Sequence, residues 1–412
     1  MIDLALLREN PTKVIELLTL KEPSFDAQKL FDLDVQVRKT RLDIEALRQR
    51  KNELAQQGKS GITDALRQES IEVSKKLKEC EAVCETIEPE FKRLYLSCPN
   101  LPFADIPHGG KESNKVIKTF GKKPEFNFPV KNHLELGTQL GWLDFDAATV
   151  MTGSNFALYK NEGVKLMYAL TMFMLKHNLK HGFDLVMPPY MVNEQSLVVA
   201  SNLPKFRDQV YAVTEDKLFL TPTAEANLAN MYRDKILAAT QLPISMTAWT
   251  PCFRREAGGY GAHERGLIRI HQFEKVELFS ICEPEKSAQE QERMLACAEE
   301  ILQKLGLHYR VSLLAAQDCS FASAKTYDIE AWLPGQNCFY EVSSISNCTD
   351  FQARRGLIRY KKAPDAKTEF VHTLNGSSLA LSRLVVALLE TYQQADGTVA
   401  IPEILKKEGL YS

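Results

Sequence analysis

Pro251 to Phe279 reads PCFRREAGGYGAHERGLIRIHQFEKVELF, and this stretch decides the reading of the larger part of the chain. Arg254, Arg255 and Glu256 close a first strand, Gly258, Gly259 and Gly261 supply a turn, and Phe273, Glu274 and Glu277 ride on an apolar-alternating return strand. A planar guanidinium can grip phosphate through paired N–H groups, and an aromatic ring offers a face to a base. The pattern therefore predicts a nucleotide platform of side chains on an antiparallel sheet. No glycine-rich phosphate loop with a following lysine is involved.

Working outward, strand-like and helical segments mix without a βαβ rhythm. Asp184–Val192 (DLVMPPYMV) reads as a strand whose prolines place it at an edge or interface. Further strands are expected at Leu218–Thr221, Thr247–Arg255, Leu267–Ser280 and Phe339–Ser344, with helices at Gly163–His181, Pro284–Leu305 and Leu379–Gln393. The last is apolar on nearly every side and so is buried. The fold class is α+β, an antiparallel sheet flanked by helices.

The N-terminal third differs. Leu30, Leu33, Val37, Thr40, Ile44, Leu47, Lys51 and Leu54 alternate steps of three and four. Val73, Leu77, Cys80, Cys84, Ile87, Phe91, Leu94 and Cys98 repeat the pattern. This is the seam of a two-stranded coiled coil. The polar stretch Gln56–Asp64 between them folds the two helices back as an antiparallel hairpin, with a local kink expected at Pro89. Arg38, Lys39, Arg41, Arg48, Arg50 and Lys51 form a basic stripe suited to a phosphate backbone, although a spacer or dimerisation element with solvated charge reads the same way. Prolines and glycines between Ser97 and Asn114 mark a break. The expected division is 1–104 for the N-terminal domain with the arm, 105–125 for a linker and 126–412 for the larger sheet-and-helix domain.

At 412 residues, with 44% hydrophobic and 25% charged residues, the chain is an ordinary globular protein of two or three domains. A net charge of −2 means a polyanion must be met by a local basic patch. Nine cysteines without paired spacing indicate neither a disulfide framework nor a zinc site. No apolar run approaches the ~20 residues of a membrane span, and the start lacks a secretory leader, so a reducing cytoplasmic setting is expected.

On these motifs the chain resembles the bacterial-type seryl-tRNA synthetases, a family of class II aminoacyl-tRNA synthetases, over nearly its full length. Asp184–Val192 resembles the first class signature, Phe253–Phe279 the second, and Asn375–Arg383 (NGSSLALSR) the third. Thr223-Ala224-Glu225, Glu341-Val342-Ser343-Ser344 and Phe351–Arg355 (FQARR) add the features of the seryl enzymes. Two departures stand out: VASNLPKF at Val199–Phe206 for GTGQLPKF, and FRRE for FRSE, where Arg255 is expected on the face opposite Arg254 and Glu256.

The resemblance implies that ATP and serine form a seryl adenylate, and that serine then passes to tRNA(Ser), with tRNA(Sec) a further candidate by family habit. Arg254, Arg383 and Glu341 are the implied catalytic residues. Arg254 takes the α-phosphate and the serine carboxylate, Glu256 the adenine amino group, and Phe273 and Arg383 sandwich the base. ATP-site membership extends to Arg255, Ile270, His271, Gln272, Val342 and Ser343. Glu341 and Ser344 are the implied Mg²⁺ ligands. Thr223, Ala224, Glu225, Arg254, Glu277 and Ser377 are the implied serine site. The basic arm and the loop Gly258–Arg265 are assigned to tRNA, the arm of one subunit of a homodimer serving the other. Two rivals, a carrier-protein loader and a non-catalytic paralogue, are disfavoured by the long arm and by the presence of Arg254, Glu341 and Arg383. The absence of HIGH-like and KMSKS-like sequences excludes the class I alternative.

Overall fold

The computed structural model describes residues 1–59, 61–257 and 266–411, which divide into two compact units, Met1–Leu101 and Pro102–Ser412.

In the first unit, α1 (Ala27–Gly58, 32 residues) and α2 (Asp64–Leu96, 33 residues) form the hairpin. The side chains of Asp26 and Thr63 accept hydrogen bonds from the backbone N–H groups of Lys29 and Leu66, capping the two helix starts. Leu30, Leu33, Val37, Ile44, Leu54, Val73 and Leu77 are buried along the seam. Lys51, assigned to the same seam by spacing, is exposed. α2 continues through Pro89 as one helix. Each helix is about 48 Å long at ~1.5 Å per residue. At the base of the arm Arg8 holds the buried Asp34 with two hydrogen bonds, 2.8 and 2.7 Å.

The second unit is built on an eight-stranded sheet. Its strands are β1 (Lys115–Phe120), β2 (Asp184–Leu185), β3 (Ile244–Phe253), β4 (Gln272–Cys282), β5 (Tyr309–Leu313), β6 (Lys325–Leu333), β7 (Cys338–Asn347) and β8 (His372–Ala380). They lie in the order β1-β5-β6-β7-β8-β4-β3-β2, antiparallel throughout except for the β2–β3 pair. Helices α3 (Glu162–Lys180), α4 (Ser287–Lys304) and α5 (Leu381–Thr391) bury apolar side chains against one face. Val276 and Leu278 of β4, and Tyr327, Ile329, Ala331 and Leu333 of β6, point into that core. By the two-residue period of a strand, Phe273, Lys275, Glu277, Asp328 and Glu330 share the opposite face.

Several expected boundaries shift. Asp184–Val192 is two short strands, β2 and Met191–Asn193, because its two prolines cannot donate to a ladder between them. The stretch 105–125 contains β1, which pairs with β5 and so belongs to the sheet. The return strand starts at Gln272, after a short 3₁₀ turn at Gly266–Ile268. Arg254, Arg255 and Glu256 follow the end of β3 at Phe253. NGSSLALSR spans a strand and a helix, since its first six residues complete β8 and α5 starts at Leu381. The glycine turn and the loop Gly258–Arg265 lie outside the described residues.

Candidate active site

The sheet face opposite the helices carries a cleft of about 270 Å³. Arg254, Glu256, Ile270, Phe273, Glu341, Ser344 and Arg383 line it, together with Thr223, Glu225, Glu277 and Ser377. Two strand irregularities aim these groups. On β7, Ser343 pairs with Ile329 and Glu341 with Glu330, so Val342 is an extra residue. That bulge lets Glu341 and Ser344, three apart, reach the same cleft, while Val342 enters the core. On β8, Ser377 pairs with Glu277 and Leu379 with Val276, which leaves Ser378 as the extra residue between Ser377 and Ala380. Leu379 takes φ +153° there, a strained backbone for a branched side chain.

The charged groups are held in defined positions. The backbone of Arg254 is clamped to His271, donating from its N–H to the His271 carbonyl (2.9 Å) and accepting at its own carbonyl from Nδ1 (3.0 Å). The Arg254 guanidinium donates to the Pro222 carbonyl (3.2 Å) and rides 5.3 Å from the centre of the Phe273 ring. Arg383, the third residue of α5, donates to the Glu341 carbonyl (3.0 Å), pairs with the Glu341 carboxylate (3.3 Å) and lies 5.0 Å from the Tyr340 ring. It is the one residue from Leu381 to Glu390 that is not buried. Thus in the described chain the ring of Phe273 is faced by Arg254, and Arg383 stands beside Tyr340. Glu256 accepts from Arg269 Nε at 2.6 Å.

The inner end of the cleft is a buried network. Lys275 pairs with Glu277 and donates to Thr223 Oγ1 (2.7 Å), which in turn donates to Glu277 (3.2 Å). Glu225 accepts from Gln352 and from Asn375 Nδ2 (3.0 Å). Burial, with the Glu277 anion second and Lys275 opposing, pushes the Glu225 carboxyl up to about 7. Burial, seconded by Glu341, also raises Asp328 well above the usual carboxylate range.

Six residues expected at the site lie elsewhere. Arg255 donates from its backbone to the Gln209 carbonyl, carries its guanidinium near the Tyr211 ring and does not line the cleft. His271 acts through its Arg254 clamp. Ala224 and Val342 are core, and Ser343 donates to the Ser377 carbonyl. Gln272 faces a second, more apolar cavity of about 360 Å³, lined by Trp249, Met167, Tyr168 and Glu274. That cavity is larger, but it lacks converging cations, and the polar cleft is the better candidate. Sequence reasoning missed Lys275, Asn375, Arg269 and Gln352. Lys275 was detectable by the two-residue period from Phe273 to Glu277. Asn375 and Gln352 sit inside quoted motifs, and Arg269 is placed by tertiary structure alone.

On the arm, Arg41 pairs with Glu88 (2.6 Å), Arg48 with Glu81 (2.8 Å) and Arg50 with Glu69 (2.6 Å), each across to α2. Arg38 lies 3.9 Å from Asp34, and Lys39 and Lys51 are exposed. Half of the basic stripe thus also ties the hairpin together.

An antiparallel sheet with an arginine–glutamate platform and a helix-borne second arginine defines the catalytic core of a class II aminoacyl-tRNA synthetase. The family model of the class II core domain (G, H, P, S and T) matches residues 209–392, and that of the seryl-tRNA synthetase N-terminal domain matches residues 1–102. The serine–tRNA ligase of Syntrophobacter fumaroxidans is 45% identical, covering 98% of both chains. Seryl-tRNA synthetase from Pyrococcus horikoshii, solved with ATP, superposes with a TM-score of 0.92 at 36% identity, over 99% of this chain and 98% of that one. Cytoplasmic serine–tRNA ligase from Naegleria fowleri, solved with AMP, gives 0.85 at 25% identity, over 100% and 98%. The chain belongs to the seryl-tRNA synthetase family.

Proposed function

We infer that the cleft carries out the family's reaction, in which serine and ATP give seryl adenylate and pyrophosphate and the seryl group then passes to tRNA(Ser). The observation that carries this reading is the meeting of two arginines, an aromatic face and a buried Thr223–Glu225–Lys275–Glu277 cluster in one cleft. Attack of one anion on another needs charge neutralisation and alignment, and no protein nucleophile. Arg254, with its backbone fixed by His271, serves the α-phosphate and the serine carboxylate. Phe273 takes the adenine once Arg254 swings from its ring to phosphate, and Arg383 turns from Tyr340 to cover the base and the γ-phosphate. Glu256 meets the adenine amino group, with Ile270 beside the base.

Glu225, Glu277 and Thr223 receive the serine ammonium and hydroxyl, with Ser377 at the pocket wall. A hydroxyl-bonding pocket rejects alanine because its buried polar groups would be left unpaired. Glu341 and Ser344 offer hard oxygen donors and fit Mg²⁺, which when bound with ATP offsets phosphate charge.

The arm, through exposed Lys39 and Lys51 and through Arg38, Arg41, Arg48 and Arg50 where their pairs open, takes tRNA(Ser), with tRNA(Sec) a second candidate. A homodimer is supported by the exposed apolar side chains Leu185, Met187 and Met191 around β2. Among the described residues no helix is long and apolar enough to cross a membrane, and a cytoplasmic setting fits the nine free cysteines. Pyrophosphate exchange across the twenty amino acids, followed by charging of total tRNA, tests the reading. Exchange with serine alone supports it, and exchange with any other amino acid alone rejects it.

A further inference from the structure

Asp328 on β6 stands directly across from Ser344 on β7, so the two side chains share the cleft face. That register sets the Ser344 hydroxyl beside the Asp328 carboxyl group. One oxygen of that carboxyl group, Oδ1, is sealed from solvent and has no hydrogen-bond partner among the described residues. Glu341, Glu330 and Asp318 lie close enough to disfavour its charge, and all three are acidic.

Each of those three neighbours has its own donor. Glu330 accepts from Arg310 (2.7 Å) and Ser312 (2.8 Å), Glu341 pairs with Arg383, and Asp318 accepts from Asn114 (2.7 Å). Among the described residues no cation pairs with Asp328. A sealed carboxylate oxygen without a donor is disfavoured unless something positive arrives. The groups next to it, Ser344 and Glu341, are the two residues read above as the ligands of the cation.

We propose that Asp328 is a positioning residue for the divalent cation that accompanies ATP, fixing the Ser344 hydroxyl so that its lone pair faces the ion. This rests on the reading of Glu341 and Ser344 as the cation site. Carboxylates behind a ligand orient it and raise its affinity for metal, and their loss lowers affinity by roughly 10–100-fold.

The test uses the full-length enzyme with Mn²⁺ as an EPR-visible ion and adenylyl imidodiphosphate as the nucleotide. Asp328→Asn and Asp328→Ala are expected to weaken Mn²⁺ binding at least tenfold. Nucleotide binding in EDTA and the melting temperature should stay near those of the parent. The double variant Asp328→Asn with Ser344→Ala should bind Mn²⁺ no more weakly than the worse single variant, because one residue acts through the other. Glu341→Gln separates the two readings. If Glu341→Gln weakens Mn²⁺ binding and the Asp328 variants do not, this inference falls and the cation site stands. If none of the three changes Mn²⁺ binding, the cation site itself falls. Lower melting with unchanged Mn²⁺ affinity marks a structural role for Asp328 and overturns the proposal.

Discussion

The arm and the cleft use the same residue types to opposite ends. On the arm, Arg41, Arg48 and Arg50 are solvent-facing and paired to glutamates on the neighbouring helix, where water and salt screen them. In the cleft, Arg254 and Arg383 are partly buried, bonded mainly to backbone carbonyls and stacked on rings. An arginine satisfied by a surface carboxylate is chiefly structural. Arg254, held by a neutral carbonyl beside an open cleft, keeps most of its charge for a ligand, whereas Arg383 shares part of its charge with Glu341. The difference lies in the partners.

The largest effect should come from the cleft. Arg254→Ala is expected to lower serine-dependent pyrophosphate exchange by at least about 10³-fold, the scale of losing a charge-stabilising donor in a preorganised site. Near-normal exchange in that variant would break the contrast at once. Next, deleting the hairpin between Leu30 and Cys98 should leave exchange within a few-fold of the parent while charging of tRNA(Ser) falls about 100-fold or more. Equal loss of both would show that the arm supports the catalytic unit. Glu277→Ala should raise the KM for serine by roughly 10–100-fold with the KM for ATP little altered, the size expected when a buried hydrogen-bonding group is removed from a substrate hydroxyl.

A smaller, titratable effect follows from Glu225. Its folded value, about 7, lies above the ordinary glutamate range, so the neutral form is favoured in the empty site. Stability contributed by this group is greatest below the ordinary range and is lost as the pH rises toward 7. The serine ammonium needs the ionised form, so kcat/KM for serine should fall as the pH drops below 7, by at most about tenfold per unit. Exchange measured at saturating serine and varied ATP should not show that limb. Glu225→Gln should abolish it, and a surviving limb would assign the titration elsewhere.

The smallest effect sharpens the comparison on the arm. Arg41→Ala should barely move the melting temperature and reduce charging little, since its carboxylate partner already holds it. Lys39→Ala with Lys51→Ala should weaken tRNA binding and flatten its salt dependence by about one unit of slope for each phosphate no longer neutralised. Equal effects from both variants would mean that the α1–α2 ion pairs open freely when tRNA binds.

How much could be read in advance follows the same division. The hairpin was legible because its seam repeats over two long helices, and a period needs no knowledge of partners. β4 was legible for the same reason, with Phe273 and Glu277 on one face and Val276 and Leu278 on the other. Bulges were not. Nothing in EVSS or NGSSLALSR reveals that Val342 and Ser378 are extra residues, because a bulge depends on what the neighbouring strand offers. Pairings between distant segments were equally hidden: Arg269 on Glu256, Gln352 on Glu225, Asp328 across from Ser344. Arg255, His271, Gln272, Val342 and Ser343 adjoin cleft residues along the chain but do not line the cleft, because neighbours along a backbone need not share one face.

The most direct test of the central claim is a crystal structure of the enzyme with a non-hydrolysable seryl-adenylate analogue. The account predicts adenine on Phe273, the phosphate mimic on Arg254, Arg383 turned from Tyr340 over the base, and the seryl ammonium between Glu225 and Glu277. An analogue bound in the apolar cavity beside Trp249, or bound in the cleft with Arg254 still on the Phe273 ring, would contradict it.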